Sequence, residues 1–256
     1  MKNLSRPIYL LFFAVFFMVA CKTSQSGSNS EKGFKSIFNG RNLDGWRGDP
    51  VYWKVENGSI VGEITPETVL KTNSFLVWEG GEPANFEFKA EFKITEKGNS
   101  GVNYRSVVFP DVPNALKGYQ ADIDGAIRYT GQNYEERGRT TLAYRGEISS
   151  IKPQTGTWTP EQVRSKVTRN NWSEREVIGS LGNTDELKTK IKSEDWNEIH
   201  IIARGNRLLH YVNGVLMSDV TDHDQVNGKA KGLLGVQVHV GPPMKVEYRN
   251  LRLKNL

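Results

Sequence analysis

A chain of 256 residues, 25% charged and 37% hydrophobic, has the composition of an ordinary globular protein and room for one large β domain or two small ones. Its formal charge of +5 falls to +3 once Lys2 and Arg6 of the leading segment are set aside, and the remaining basic residues are interleaved with acids. That pattern excludes a basic stripe for nucleic acid, and a single Cys excludes an intrachain disulfide.

Residues 1–20 read as a signal segment, with Lys2 and Arg6 ahead of an apolar stretch from Ile8 to Ala20 that is short for a membrane span. The sequence Met18-Val19-Ala20-Cys21 is similar to a bacterial lipobox, so Cys21 is expected to carry lipid and become the mature N-terminus. Residues 21–33 form a polar Ser/Gly tether. Lys22, where an Asp would favour inner-membrane retention, points to the outer membrane, facing the periplasm or the exterior. Residues 34–256 are expected to form one domain.

Phe34 to Phe38 suggests a short first strand. Trp53–Glu56 and Ser59–Gly62 flank Asn57-Gly58, the signature of a two-residue hairpin turn. Ser74–Trp78 is a short apolar strand. From Asn85 to Ile94, Phe86, Phe88, Ala90, Phe92 and Ile94 alternate with four charged residues, which fixes the register. Asn99–Val107, Gly118–Asp124 and Thr140–Tyr144 continue the series. The stretch from Gly146 to Gly182 has no clean period; it reads as a long loop or a short helix over Pro160–Val167, capped by Thr159. Thr184–Ile191 is a second helix candidate, and strands follow at Trp196–Ala203, Leu208–Val212 and Val215–Val220. Gly232 to Leu253 reads as two strands joined by a tight turn at Gly241-Pro242-Pro243. Leu234, Val236, Val238 and Val240 share one face there, and Gln237 and His239 the other; in the second strand Val246, Tyr248 and Asn250 alternate with Lys245, Glu247 and Arg249. The expected fold is all-β, a two-sheet antiparallel jelly-roll sandwich with one or two short helices in its loops.

The sequence has no phosphate loop, dinucleotide fingerprint, HExxH or Gly-x-Ser-x-Gly elbow. What remains is a polar set on strands with apolar opposite faces: Asn103, Arg105, Gln120, Asp122, Gln237 and His239. Each alone fits a solvated sheet face. Together their types fit the converging polar groups of a concave site better than the Lys and Glu of a plain wet face. Tyr134, Glu136 and Arg139 lie in a charged run that fits an exposed loop equally well. Trp46, Trp53 and Trp158 suit either sugar stacking or a core.

The segments NSGVNYR (99–105), GYQADID (118–124), YEERGR (134–139), VNG (212–214) and GVQVHVGPPMKVEYRNLRL (235–253) resemble the 3-keto-disaccharide hydrolase family. FNGRNLDGW (38–46) and YWKVENGSIVGE (52–63) are similar to its usual start. The resemblance implies a concanavalin A-like sandwich acting on glycosides already oxidised to a ketone at C3. Proton abstraction at C2, β-elimination at C1 and addition of water would then give net hydrolysis. Such chemistry needs a base, an oxyanion stabiliser and an acid. On this reading His239 is the proton-transfer group, with Arg105 or Arg139 at the oxyanion. Asp122 and Glu136 orient hydroxyls, act as acid or base, or bind a divalent cation. Asn103, Gln120, Tyr134 and Gln237 complete the substrate-binding set. The competing readings are a non-catalytic carbohydrate-binding lipoprotein, a two-carboxylate retaining glycosidase and an adhesin.

Overall fold

A computed structural model describes residues 31–110, 112–154, 157–168 and 175–256. The signal segment, Cys21 and the tether up to Ser30 lie outside the described residues. The end of the tether is not free, because Glu31 pairs with Lys89 at 2.5 Å.

The strands are β1 (Lys35–Ser36), β2 (Trp46–Arg47), β3 (Trp53–Glu56), β4 (Ser59–Ile64), β5 (Ser74–Trp78), β6 (Phe86–Ile94), β7 (Asn99–Val108) and β8 (Leu116–Asp124). They continue as β9 (Asn133–Glu136), β10 (Thr140–Ala143), β11 (Glu147–Ile151), β12 (Arg175–Ser180), β13 (Asn197–Arg204), β14 (Arg207–Val212), β15 (Val215–Asp222), β16 (Leu233–Val238) and β17 (Met244–Asn255). Two short helices, α1 (Pro160–Thr168) and α2 (Thr184–Lys188), lie between strands. One sheet runs β12-β11-β15-β14-β13-β6-β17-β4-β3 with β1 on β17, and the other runs β10-β9-β8-β7-β16-β5-β2. Pairing is antiparallel except between β11 and β15.

Alternation builds the core. β6 buries Phe86, Phe88, Ala90, Phe92 and Ile94, while its charged residues form cross-strand pairs such as Arg249–Glu91 and Lys93–Glu247 on the far side. The seven-stranded sheet answers with Val102, Tyr104, Tyr119, Ala121, Ile123, Leu234, Val236 and Val238. Thr159 caps α1, its hydroxyl accepting from Gln162 N–H while the Gln162 side chain accepts from Thr159 N–H.

Three expectations are corrected. β16 and β17 do not pair with each other: the chain leaves one sheet after Val238 and enters the other at Met244, so the two prolines mark a crossing between sheets. Val240 is accordingly exposed, not core. In β17 a register shift between Arg249 and Arg252, with Asn250 at φ 53°, turns Asn250 outward and Leu251 and Leu253 inward. The stretch from Gly146 to Gly182 holds two strands, β11 and β12. β12 is an edge strand with no buried residue, so its residues carry no alternation to read.

The core also holds a polar knot. His210 is fully buried, with Nε2 against the Tyr104 hydroxyl at 2.8 Å and Nδ1 against Gln132 O at 3.2 Å. Burial pushes its pKa down to about 4, partly opposed by the backbone contact. The folded value lies below the unfolded one, so the unfolded chain binds more protons between about pH 6.5 and 4. The contribution of His210 to stability is therefore expected to fall across that window by roughly 3 kcal/mol. The difference in urea midpoint between wild type and His210→Gln from pH 7 to 4 tests this, because other titrating groups cancel in it, and a difference that does not change with pH would remove the assignment.

Candidate active site

The outer face of the seven-stranded sheet carries a cleft of about 280 Å³. β8 sends Tyr119, Ala121 and Ile123 into the core, which turns Gln120 and Asp122 to the cleft. Register then assembles the rest. Gln120 faces Tyr134 of β9, Glu136 lies two residues further on, and Asn99 of β7 stands at the end of the floor. Thr141 comes from β10, Tyr144 from just after it, Tyr129 and Gln132 from the β8–β9 loop, and His239 from the first residue past β16.

Asp122 is the strongly perturbed carboxylate of the cleft. Its carboxylate accepts from Gln120 Nε2 at 2.5 Å and from Gln132 Nε2. Burial pushes its pKa up to about 7, Glu136 and Asp124 add to the rise, and the two amide donors oppose it. The folded value lies above the unfolded one, so this group stabilises the fold at low pH and loses that contribution as pH rises through 7.

Glu136 accepts from Asn73 Nδ2 at 3.2 Å and lies 3.8 Å from Arg137 Nε. Asn73 Oδ1 accepts from Val240 N–H at 2.9 Å, and Val240 O lies 2.7 Å from His239 Nδ1. A carbonyl only accepts, so Nδ1 is the donor of that pair, and in the neutral ring Nε2 is the nitrogen with the lone pair. Tyr134 is pushed up by burial and by Glu136, so its phenol stays a donor at neutral pH. Asp124, the remaining carboxylate of β8, is taken by the loop that follows. It accepts from the N–H groups of Arg128, Tyr129 and Thr130, and so braces the segment bearing Tyr129 and Gln132.

Sequence-predicted residues thus divide. His239, Asp122, Glu136, Gln120 and Tyr134 share one cleft. Gln237 is fully buried beneath it and donates to Gln120 Oε1 at 3.1 Å. Asn103, also fully buried, does not line the cleft, and its amide has no hydrogen-bond partner among the described residues.

Arg105 points elsewhere. The β7–β8 register shifts between Tyr104 and Val107, Arg105 takes φ 45°, and its guanidinium is spent on Ala84 O, Gly205 O and Lys229 O. Arg139 is buried among Glu135, Asp222 and Asp224 between the sheets. Burial opposes its charge, but Glu135 and Asp222 outweigh that and hold the guanidinium protonated. Neither arginine is placed to meet an oxyanion in the cleft. Trp46 and Trp53 are core residues, and Trp158 packs against Lys166.

Asn73, Tyr129, Gln132 and Tyr144 were not foreseen, because they lie outside the regular strands and carry no period. Among the described residues no three His, Cys, Asp or Glu side chains gather to hold a metal ion. The amide donors on Asp122 and Glu136 further make this a poor cation site.

The model of the 3-keto-alpha-glucoside-1,2-lyase-like domain matches residues 33–254. The chain is also similar to two candidate glycosyl hydrolases from Parabacteroides distasonis ATCC 8503. One is 18% identical with a TM-score of 0.53, covering 88% of this chain and 94% of that one. The other is 15% identical with a TM-score of 0.54, covering 87% and 99%. A Bacillus subtilis protein of unknown function with a galectin-like fold is 11% identical at a TM-score of 0.51, covering 83% and 90%. At these identities the likeness concerns the fold. No curated protein matches the chain.

Proposed function

The chain belongs to the 3-keto-alpha-glucoside-1,2-lyase-like domain family, and from that premise we propose that the cleft cleaves 3-keto-glycosides by elimination in bacterial glycan catabolism. The observation that carries this reading is Asp122: a buried carboxylate with a pKa of about 7, on the floor of a polar cleft that an imidazole also lines. A base poised near neutral pH suits removal of a proton made acidic by a neighbouring ketone.

Asp122 takes the C2 proton, and the electron pair of that bond forms the enolate. Tyr134 O–H and the Asn99 amide are the cleft donors available to the C3 oxygen. The enolate re-forms the ketone and expels the C1 oxygen, which receives the proton that Asp122 took from C2, passed on through Nε2 of His239 at the cleft rim. Water adding to the enone completes hydrolysis, with Glu136 as the carboxylate that orients it. This differs from the sequence-based assignment, which made His239 the base. Asp122 is the buried and perturbed group, while His239 is half-exposed.

The leaving sugar needs a surface. Tyr129 and Tyr144 line the cleft at 44% and 50% exposure, as aromatic platforms for a pyranose would. Tyr144→Ala is expected to raise KM for a 3-keto disaccharide about tenfold while leaving KM for the 3-keto methyl glycoside unchanged. Equal effects on both substrates would remove the platform.

The test of the whole reading is turnover of chemically oxidised disaccharides. Release of the leaving sugar supports it. Binding of unoxidised sugars without any turnover would favour the non-catalytic carbohydrate-binding reading. A retaining glycosidase needs two facing carboxylates; Asp124 is committed to its loop, which leaves Asp122 and Glu136 as the pair, and cleavage of unoxidised disaccharides would favour that reading. We further propose that Cys21 anchors the protein by lipid in the bacterial envelope; radiolabelled palmitate incorporated equally by Cys21→Ser would overturn that.

A further inference from the structure

Two amides beneath the cleft are buried far more deeply than a wet sheet face requires. Gln237 is fully buried and Gln120 is 3% exposed. They run head to tail: Gln237 Nε2 donates to Gln120 Oε1, and Gln120 Nε2 donates to Asp122 Oδ1. Gln132 Nε2 donates to Asp122 Oδ2 from the other side.

The far ends are unpaired acceptors, since Gln237 Oε1 and Gln132 Oε1 are both buried with no hydrogen-bond partner among the described residues. An orphaned buried acceptor is unfavourable, so an arrangement that leaves one at each end gains something at its centre. What it gains is two amide N–H groups aimed at one carboxylate. Gly101 makes room for this: a Cβ there would lie 2.7 Å from Gln120 Cδ and Cγ, so no other residue would let that side chain lie flat across β7.

We propose that Gln237, Gln120 and Gln132 are positioning residues, a convergent amide relay that holds Asp122 ionised and aims it into the cleft. The proposal rests on the reading of Asp122 as the proton acceptor. Among the described residues, the other groups around Asp122 are neutral, acidic or at the rim: Tyr134 and Glu136 from β9, Asp124 from its own strand, Tyr129 from the β8–β9 loop, Tyr144 past β10 and His239 past β16; the neighbouring cations act one step away, Arg164 on Tyr134 and Arg137 on Glu136. Glu136 and Asp124 oppose ionisation, and the relay is the counterweight.

The orphaned oxygens have a use once the proton moves. When the C2–H bond breaks, its hydrogen ends on an Asp122 oxygen, which becomes a donor. The amide facing that oxygen must then offer its own oxygen. Gln132 turns at least cost, because its unpartnered Oε1 gains a bond by turning, whereas Gln120 Oε1 would have to give up Gln237. The relay therefore favours protonation at Oδ2, the oxygen facing Gln132. Reversing the turn on proton release restores the base.

The experiment is a carboxyl-carbon NMR titration of aspartate-labelled full-length protein, with the Asp122 signal assigned by its loss in Asp122→Asn. Gln132→Met deletes a hydrogen bond to a charged group. It is expected to raise the Asp122 midpoint by about one pH unit or more. Gln237→Met never touches the carboxylate and is expected to shift it in the same direction by less, because Gln120 loses the donor that fixes its polarity. Should a Met variant fail to fold, the isosteric Gln132→Glu is expected to raise the midpoint further still. An unmoved midpoint in folded variants overturns the relay. A midpoint that moves while the acid limb of turnover stays in place upholds the relay and sinks the assignment of Asp122 as the base.

Discussion

Asp122→Asn is expected to lower kcat on a 3-keto disaccharide by about a hundredfold to ten-thousandfold, the usual worth of a positioned general base. The asparagine fits the same space and keeps a carbonyl oxygen for one amide donor, so the fold should persist. The pH profile makes the test specific. The working base is ionised, so wild-type turnover should rise with pH and level off above about 7, the value to which burial pushes Asp122. The residual activity of Asp122→Asn should lack that limb. If the limb persists unchanged, another group, with His239 first in line, is the base.

Arg139→Met is expected to cost about 3–5 kcal/mol of stability, because it strands buried carboxylates that now share one guanidinium. Glu135 meets it at 2.7 Å, Asp222 at 2.7 Å and Asp224 at 3.2 Å, and the Arg139 side chain itself has no exposed surface. The loss should be partly recovered in acid. Unpaired carboxylates in the folded variant bind protons more tightly than in the unfolded chain, so its stability relative to wild type improves as pH falls. Taking the difference from wild type cancels the opposite acid limb of His210. Urea midpoints at about pH 7.5 and pH 5 measure it. A loss under 1 kcal/mol would show the cluster to be marginal, and a purely catalytic defect would return Arg139 to the list of substrate ligands.

The elements legible in the sequence were those where one face met the core and the other met water. β6 shows this best, since its five apolar positions are all buried and its charges pair outside. The same logic placed Gln120 and Asp122 on one face. It failed at Arg105, where a positive φ and a register shift break the alternation. It failed again at Arg139, whose charge suggested solvent while three acids drew it into the interior. β12 was illegible because an edge strand exposed on both faces has no pattern to show. The sheet crossing after Val238 was hidden because a local turn signal does not say which sheet the next strand joins. Asn73 and Gln132 hold the two cleft carboxylates, yet only distance in space connects them to those residues. A tyrosine in each loop bordering the polar strands, at Tyr129 and Tyr144, was the one loop signal available.

Arg105 bears on how such a domain can change. Its guanidinium ties the segment before β6, the β13–β14 turn and the segment before β16, through Ala84, Gly205 and Lys229. An insertion in any of the three would pull a carbonyl off the fork, so their lengths are locked to one another. The cleft is rimmed by the β8–β9 loop and the residue after β10, which Arg105 does not touch. Drift in length is therefore steered toward the rim of the cleft. A lineage built on this scaffold would diversify the sugars it accepts by remodelling that rim while the riveted end stays fixed.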